Sequence, residues 1–427
     1  MTTIEIDPGP QADIDKFEAQ LDRYLTGDLD EDAFRVFRLT NGVYGQGQGG
    51  HDQMVRIKVP FGSVQPDQLE MIGHIADEFS RGWAHITTRQ NIRLKWLVDT
   101  MGWESRQEQI LEDRKLLIAS ATWPGGVPAM VDKLGDDPAG VATGATPTTV
   151  GQGIPVALRG TDAYGRWEQA NVVRGSAKGT VSAYAWARLG DITSDQFRSL
   201  AAVQSELGAS VRVTNRQNLV FRDLSESQLP VLHQRLVAIG MAEPGAEHAR
   251  DVVACPGADT CNLAVTQSRG LADAIGARLE EAGLAEVGGV RTNISGCTNS
   301  CGQHHAADIG FFGAERRAHG QSAPGYQMLL GGHVADTRIE FGQKALRLPA
   351  HNAPDAVVRV VGRFAAERAA GEDFRTWLDR VGGLEAVADG LGDLDRFPNP
   401  DEHPEYYVDF GETGPYVAGI GDSECAT

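Results

Sequence analysis

Apolar residues recur along this chain with two alternating rhythms. Residues 53–62 (QMVRIKVPFG) are apolar and β-branched and predict a strand. Pro66 then opens a stretch in which Leu69, Ile72, Ile75, Ala76 and Phe79 return at helical spacing until Gly82. The next run, AHITTRQNI, is again β-branched and predicts a second strand, completing a β-α-β unit. The same order returns downstream. A strand over 180–190 (TVSAYAWARLG) precedes a helix carrying Phe197, Leu200, Val203 and Leu207, followed by a strand over 210–221 (SVRVTNRQNLVF). Residues 87–91 (TTRQN) and 214–218 (TNRQN) share four of five positions, and Gly62 and Gly190 precede them at matching places. Two copies are too few for a solenoid, so the repeat predicts two half-domains related by a pseudo-twofold axis and facing a shared site.

Between the copies, residues 103–117 pattern as a charged amphipathic helix and 125–153 as a Gly/Pro/Thr/Ala-rich linker. Further helices are predicted over 229–239, closed by Gly240, and over 354–370; the Pro- and Gly-rich tail from Arg396 reads as an irregular arm on the surface. A hydrophobic content of 41% and a charged content of 23% in 427 residues suit an ordinary globular core. The first 20 residues lack the pattern of a secretory signal. No run approaches the roughly 18 apolar residues of a membrane span, so a cytoplasmic protein is expected. The net charge of −19 opposes binding to nucleic acid or to an anionic membrane.

Four of the five cysteines fall within 47 residues, as C-x5-C (Cys255, Cys261) and C-x3-C (Cys297, Cys301). In a chain this large, outside an oxidising compartment, such pairs point to metal ligation rather than disulfides. Four thiolates suit zinc or an iron-sulfur cluster. Zinc knuckles favour other spacings, whereas Pro256, Gly257, Gly296 and Gly302 are turn residues that let backbone N–H groups approach cluster sulfurs. His304 and His305 read as structural residues, and Cys425 as a tail residue near the surface. No G-x-G-x-x-G fingerprint stands between a strand and a helix, so electrons are expected from a separate donor rather than directly from a nicotinamide.

The segments ACPGADTCNLAV and NISGCTNSCGQHHAADIGFFG resemble the cluster motifs of the siroheme-containing nitrite and sulfite reductase family. FRLTNGVYGQGQGGHDQMVRIKVPFG with TTRQN resembles the family's ferredoxin-like half-domain, and TNRQN its second copy. The resemblance covers residues 34–380, and the ending GDSECAT is similar to the GECAG of some members. It implies an α+β fold of two pseudo-symmetric ferredoxin-like half-domains (34–98 and 154–240) and a C-terminal [4Fe-4S]/siroheme-binding α/β module (241–380). Around these lie an N-terminal extension (1–33), a helix and linker (99–153) and a tail (381–427).

The resemblance further implies that all four cysteines bind a [4Fe-4S] cluster, with Cys301 also bridging to siroheme. Arg89, Gln90, Asn91, Arg216, Gln217, Asn218 and Asn299 become candidate siroheme-binding residues, since guanidinium groups grip carboxylates in bidentate fashion. Arg56 and Lys58 match anion-binding positions. Longer members carry, between the half-domains, an earlier copy of the cluster-type module whose arginine and lysines bind the oxyanion and deliver protons; this chain lacks it. Arg93 and Lys95, just past the junction, are the candidate substitutes, and Thr298 stands where many members have proline. The implied activity is reduction of sulfite or nitrite with electrons from a ferredoxin-like donor, with a partner subunit as a further expectation. Two alternatives keep the cluster: a precorrin-modifying enzyme, and a non-catalytic electron-transfer or tetrapyrrole-carrier protein.

Overall fold

The computed structural model describes residues 8–45, 53–94, 162–175, 179–335 and 338–419. The predicted helix over 103–117, the linker over 125–153, Lys95 and Cys425 lie outside them.

The first copy runs β1 (Val43–Gly45), β2 (Gln53–Ile57), β3 (Ser63–Val64), the helix Pro66–Phe79, β4 (Trp83–Ile86) and β5 (Ile92–Leu94). The second runs β6 (Val172–Arg174), β7 (Thr180–Ala185), β8 (Asp191–Thr193), the helix Ser194–Leu207, β9 (Ser210–Val213) and β10 (Leu219–Ser225). Both helices start where their sequences signal it. Pro66 occupies the first helical turn, and Thr193 and Gln196 exchange side-chain and backbone bonds in a capping box, at 3.2 and 2.9 Å.

The predicted β-α-β unit needs one correction in each copy. The first strand ends early, at Ile57 and at Ala185, because a turn follows: Pro60–Gly62 and Arg188–Gly190. Phe61 and Leu189 sit there in the left-handed region (φ 55° and 54°), with Gly62 and Gly190 after them (φ 70° and 76°). The second strand is in fact a hairpin, whose turn is the TTRQN or TNRQN motif itself. Thr87 N donates to Asn91 O (2.9 Å) and Thr214 N to Asn218 O (2.8 Å), while Gln90 and Gln217 take positive φ of 54° and 67°. β-branched residues favour a strand, but two left-handed glutamines reverse the chain.

After the first turn of each copy the chain crosses to the other half. β3 pairs with β9 of the second copy, and β8 pairs with β4 of the first. The two five-stranded sheets therefore read β1-β2-β5-β4-β8 and β3-β9-β10-β7-β6, each containing one borrowed strand. The crossing is tight enough to demand glycine. A Cβ on Gly62 would lie 2.4 Å from Val213 O, and one on Gly190 2.6 Å from Ile86 O. The two helices pack together over a continuous core that joins Leu69, Ile72 and Phe79 to Phe197, Leu200, Val211 and Phe221. Each such side chain contributes roughly 1.5–3 kcal/mol on full burial.

The remaining sheet has the order β11-β12-β13-β14-β17, formed from β11 (Val253–Ala254), β12 (Thr292–Ser295), β13 (Ile309–Ala318), β14 (Gln321–Leu330) and β17 (Gln343–Pro349). Its first three strands are parallel and the rest antiparallel, and β15 (His333–Ala335) with β16 (Arg338–Glu340) forms a separate ribbon. The helices Ser268–Glu281 and Ala353–Glu367 cover this sheet around a second core that includes Ile275, Ile294, Phe311, Val357 and Trp377. The tail is irregular, as predicted, and ties down the segment after Cys261: Asp409 Oδ2 accepts from Gln267 N (2.9 Å) and Tyr416 OH donates to Val265 O (2.7 Å). Among the described residues no helix is long and apolar enough to cross a membrane.

Candidate cluster and anion site

The four cysteines stand at the carboxyl ends of two adjacent parallel strands. Cys255 follows β11, and Cys297 and Cys301 occupy the loop after β12. Cys261 closes a short turn, its N–H donating to Gly257 O (3.0 Å). Cys255 is buried, Cys261 and Cys297 are half-buried and Cys301 is exposed; none is in a disulfide. Among the described residues no three His, Cys, Asp or Glu side chains converge tightly enough to hold a single metal ion.

The surroundings fit a cluster in two respects. Gly296 N donates to Cys255 Sγ (3.2 Å), and the Asn299 backbone N–H to the Cys297 thiol; such bonds stabilise thiolates and cluster sulfurs. The loops also interlock at glycines. A Cβ on Gly296 would lie 2.8 Å from Thr266 O and 2.9 Å from Gly257 Cα. Burial pushes the Cys297 and Cys301 thiols above their usual range, while Arg89 and Arg93 pull Cys301 back down. A bound cation would remove those protons.

The first half-domain completes the site. Arg89, Arg93, Thr88 and His85 share with Cys255 and Cys301 a narrow cleft, open on one side, with an enclosed space of about 10 Å³. Thr88 Oγ1 donates to Cys301 O (2.7 Å) and Gln303 Nε2 to Thr88 O (3.0 Å), which latches the cysteine loop to the TTRQN turn. Across the sheet Arg56, Arg93, His85 and Asp191 are directly opposed on β2, β5, β4 and β8. Opposed residues point to the same face, so the strands assemble a basic row beside the cysteines. The row is braced at both ends. Arg56 lies over the Tyr44 ring (4.5 Å) and donates to its hydroxyl (3.1 Å). Asp191 bonds His85 Nδ1 (2.9 Å) and Arg269 (3.1 Å), and these partners hold its carboxyl below the usual range against the upward push of burial. Gln217 fixes the tautomer. Its Oε1 accepts from Ala254 N (3.1 Å), so its Nε2 is the group facing His85 Nε2 (3.2 Å), and the His85 proton is placed on Nδ1.

The candidate residues thus separate into two groups. Arg56 and Arg93 join the row, Lys58 is exposed just past β2, Arg89 is exposed at the cavity and Asn299 is exposed in the cysteine loop. Gln90, Asn91, Arg216, Gln217 and Asn218 are engaged within the protein. Gln90 Nε2 donates to Val213 O (3.0 Å) and Gln217 Nε2 to Ile86 O (3.2 Å), each reaching into the other half-domain. Asn91 Oδ1 accepts from Thr87 Oγ1 (2.7 Å), and Asn218 bonds Ala187 N and Asp251 (both 2.9 Å). Arg216 is buried between Glu247 (3.0 Å) and Asp251 (3.8 Å). His85, Thr88, Asp191 and Gln303 were not predicted; His85 and Thr88 lie beside or in TTRQN, Gln303 lies two residues after Cys301, and Asp191 has only its place after Gly190 as a signal.

Known families match the same regions. The nitrite/sulfite reductase ferredoxin-like half domain matches residues 44–100 and 174–239, and the nitrite and sulphite reductase 4Fe-4S domain matches 245–388. The chain belongs to the nitrite and sulfite reductase family. Members similar to it include the assimilatory ferredoxin-dependent nitrite reductase of Haloferax mediterranei, 31% identical over 47% of this chain and 35% of that protein. The ferredoxin–nitrite reductase of Synechococcus elongatus is 33% identical over 42% of this chain and 35% of its own length. A ferredoxin-type sulfite reductase of Mycobacterium tuberculosis is 31% identical over 45% and 36%. The matched stretches span about a third of each of these relatives. The solved Mycobacterium tuberculosis NirA protein shares the fold, with a TM-score of 0.60 at 19% identity over 79% of this chain and 88% of that one.

Proposed function

We propose that this family member is a cytoplasmic, ferredoxin-dependent reductase of sulfite or nitrite. In this reading Cys255, Cys261, Cys297 and Cys301 would hold the [4Fe-4S] cluster, and Cys301 and Arg89 would hold siroheme. The observation that carries it is the meeting of the basic row with Cys255 and Cys301 in one cleft. When bound, the two groups would supply electrons and an iron centre for the oxyanion. The enclosed space of about 10 Å³ admits about one water, so a macrocycle would lie outside it, where the exposed Arg89 guanidinium would meet its carboxylates.

The protein's own groups have separable tasks. Arg56 and Arg93 are like charges directly opposite one another, an arrangement that costs energy and that an oxyanion between them offsets. Lys58, exposed just past β2, adds a further cation at the end of the strand that carries Arg56. His85, with its proton on Nδ1 against Asp191, is positioned to hold and pass protons, which reduction of an oxyanion consumes. Thr88 and Gln303 fix the Cys301 loop. Gln90, Asn91, Arg216, Gln217 and Asn218 act as the frame and not as cofactor ligands.

The test is the visible spectrum, iron and acid-labile sulfide of anaerobically purified protein, followed by donor-dependent turnover of sulfite and of nitrite. Siroheme bands with about four non-haem irons per chain and turnover of either oxyanion are expected. A cluster spectrum without siroheme would replace this reading with the precorrin-type one, and a pigment released without turnover would replace it with the carrier.

A further inference from the structure

The short segment Val265-Thr266-Gln267, between Cys261 and the helix Ser268–Glu281, is held by two separate sets of bonds. The first joins it to the cysteine loops. Val265 N and Thr266 N both donate to Gly296 O (2.8 and 3.3 Å), Ala258 N donates to Thr266 O (3.0 Å), and Ser268 Oγ, next along the chain, donates to Cys255 O (2.7 Å). Gly296 stands immediately before Cys297, and its own N–H is the one that reaches Cys255 Sγ (3.2 Å). The second set comes from the C-terminal arm. Tyr416 OH donates to Val265 O (2.7 Å), Asp409 Oδ2 accepts from Gln267 N (2.9 Å) and Glu412 Oε1 accepts from Gln267 Nε2 (2.7 Å).

The arm is itself well anchored. Tyr416 N donates to Tyr407 O (2.7 Å), Tyr407 OH donates to Pro398 O (2.9 Å) and Tyr406 OH donates to Asn352 Oδ1 (2.7 Å). Phe410 stacks on the His351 ring, with centroids 6.0 Å apart and planes at 8°. It also lies against Gly270, where a Cβ would come within 2.6 Å of Phe410 Cβ. Glycine inside a helix weakens it, and here it admits the arm. Tyr407, Asp409 and Tyr416 are all buried, although the arm has no regular secondary structure beyond one short turn.

We propose that this arm is a strap for the iron-sulfur cluster, in which Asp409 and Tyr416 are positioning residues that hold Gly296 against Cys255 through residues 265–267. Neither touches a cysteine. Their effect passes through Val265 and Thr266 to the Gly296 carbonyl, and from Gly296 to the thiolate that its N–H stabilises. Hydrogen bonds to cluster sulfurs tune the reduction potential, and a ligand loop that opens less often releases iron more slowly. The strap therefore sets both the potential and the lifetime of the cluster. The inference rests on the four cysteines holding a cluster, and not on siroheme or on the oxyanion.

The experiment compares the full chain with Tyr416→Phe and Tyr406→Phe, all purified anaerobically. Each variant loses one hydroxyl from the arm, but only that of Tyr416 reaches the segment beside the cysteines. Iron and sulfide content, iron release to a chelator, the cluster's reduction potential and thermal unfolding are measured. Tyr416→Phe should release iron roughly fivefold faster, the effect of one net hydrogen bond, and should lower the potential. Tyr406→Phe should match the parent protein in both. Unchanged potential and release in Tyr416→Phe, or equal changes in the two variants, would overturn the strap while leaving the cluster in place. Parent protein without iron and sulfide would overturn the cluster reading and the strap together.

Discussion

Arg89 and Arg216 occupy the same place in a repeated five-residue motif, and the structure predicts opposite consequences for removing them. Arg216 is buried, bonded to Glu247, Asp251 and the Asp251 carbonyl (2.9 Å). Arg216→Met would leave the buried Asp251 carboxylate and the half-buried Glu247 carboxylate without their shared cation, a loss of about 3–5 kcal/mol, or on the order of 10 °C in melting temperature. The loss should depend on pH with a definite sign. Burial raises the Glu247 carboxyl and Arg216 pulls it down, so in the variant it rises further. A raised carboxyl costs stability above its folded pKa and is relieved by protonation, so the defect should be largest at pH 7 and shrink towards pH 5. Among the described residues the Arg89 side chain has no hydrogen-bonding or ion-pair partner, so Arg89→Met should leave the melting temperature nearly unchanged. It should, however, weaken retention of an anionic tetrapyrrole by a charge-assisted bond of about 1.5–3 kcal/mol, or roughly 10- to 150-fold. Anaerobic thermal unfolding and the siroheme-to-protein ratio read both effects. Pigment loss without destabilisation in Arg216→Met, or equal destabilisation in Arg89→Met, would refute the division between frame and cofactor residues.

Three further outcomes follow from single contacts. A methyl group at position 62 meets Val213 O at 2.4 Å on a left-handed backbone, so Gly62→Ala should destabilise by well over the roughly 1 kcal/mol expected of Gly27→Ala, where nothing lies within 4 Å; paired unfolding curves decide it. Gly296→Ala should lower iron content, because the added carbon displaces the Thr266 and Gly257 backbone and the N–H bonded to Cys255 Sγ; unchanged iron and sulfide would count against the interlocked loops. Burial pushes the Asp409 carboxyl from 3.8 up to about 6, so the folded state binds the extra proton and stability falls as pH rises between those values, by about 3 kcal/mol. Asp409→Asn should remove that slope, and proteolysis of the tail as a function of pH measures it.

Much of the architecture was legible because it is carried by periodicity. The buried positions of the helix Pro66–Phe79 are Leu69, Ile72, Ile75, Ala76 and Phe79, with Gly73, and the helices Leu229–Ala238 and Ala353–Glu367 fall where the pattern predicted them. What escaped were features set by contacts distant in sequence. The hairpin inside AHITTRQNI depends on a left-handed glutamine, which propensity disfavours and which Val213 O rewards from 123 residues away. The exchange of β3 and β8 is equally invisible, since two- and three-residue strands carry no period of their own. The site followed the same rule. The cysteines announced themselves by local spacing, whereas His85 became a site residue only through its opposition to Arg93 and Asp191.

The repeat also shows why equal motifs need not do equal chemistry. Both TTRQN and TNRQN close a hairpin with the same backbone bonds, and both send a glutamine to a carbonyl of the other half. Those shared contacts demand the shared letters. The arginine is shared too, but its role is set by what covers it. The cluster module lies over the second copy, and Glu247 and Asp251 capture Arg216. Among the described residues no carboxylate captures Arg89 in that way, and the nearest chemistry is the Cys301 loop, latched by Thr88. A pseudo-symmetric frame thus becomes an asymmetric site because, among the described residues, the cluster module buries Arg216 and leaves Arg89 exposed.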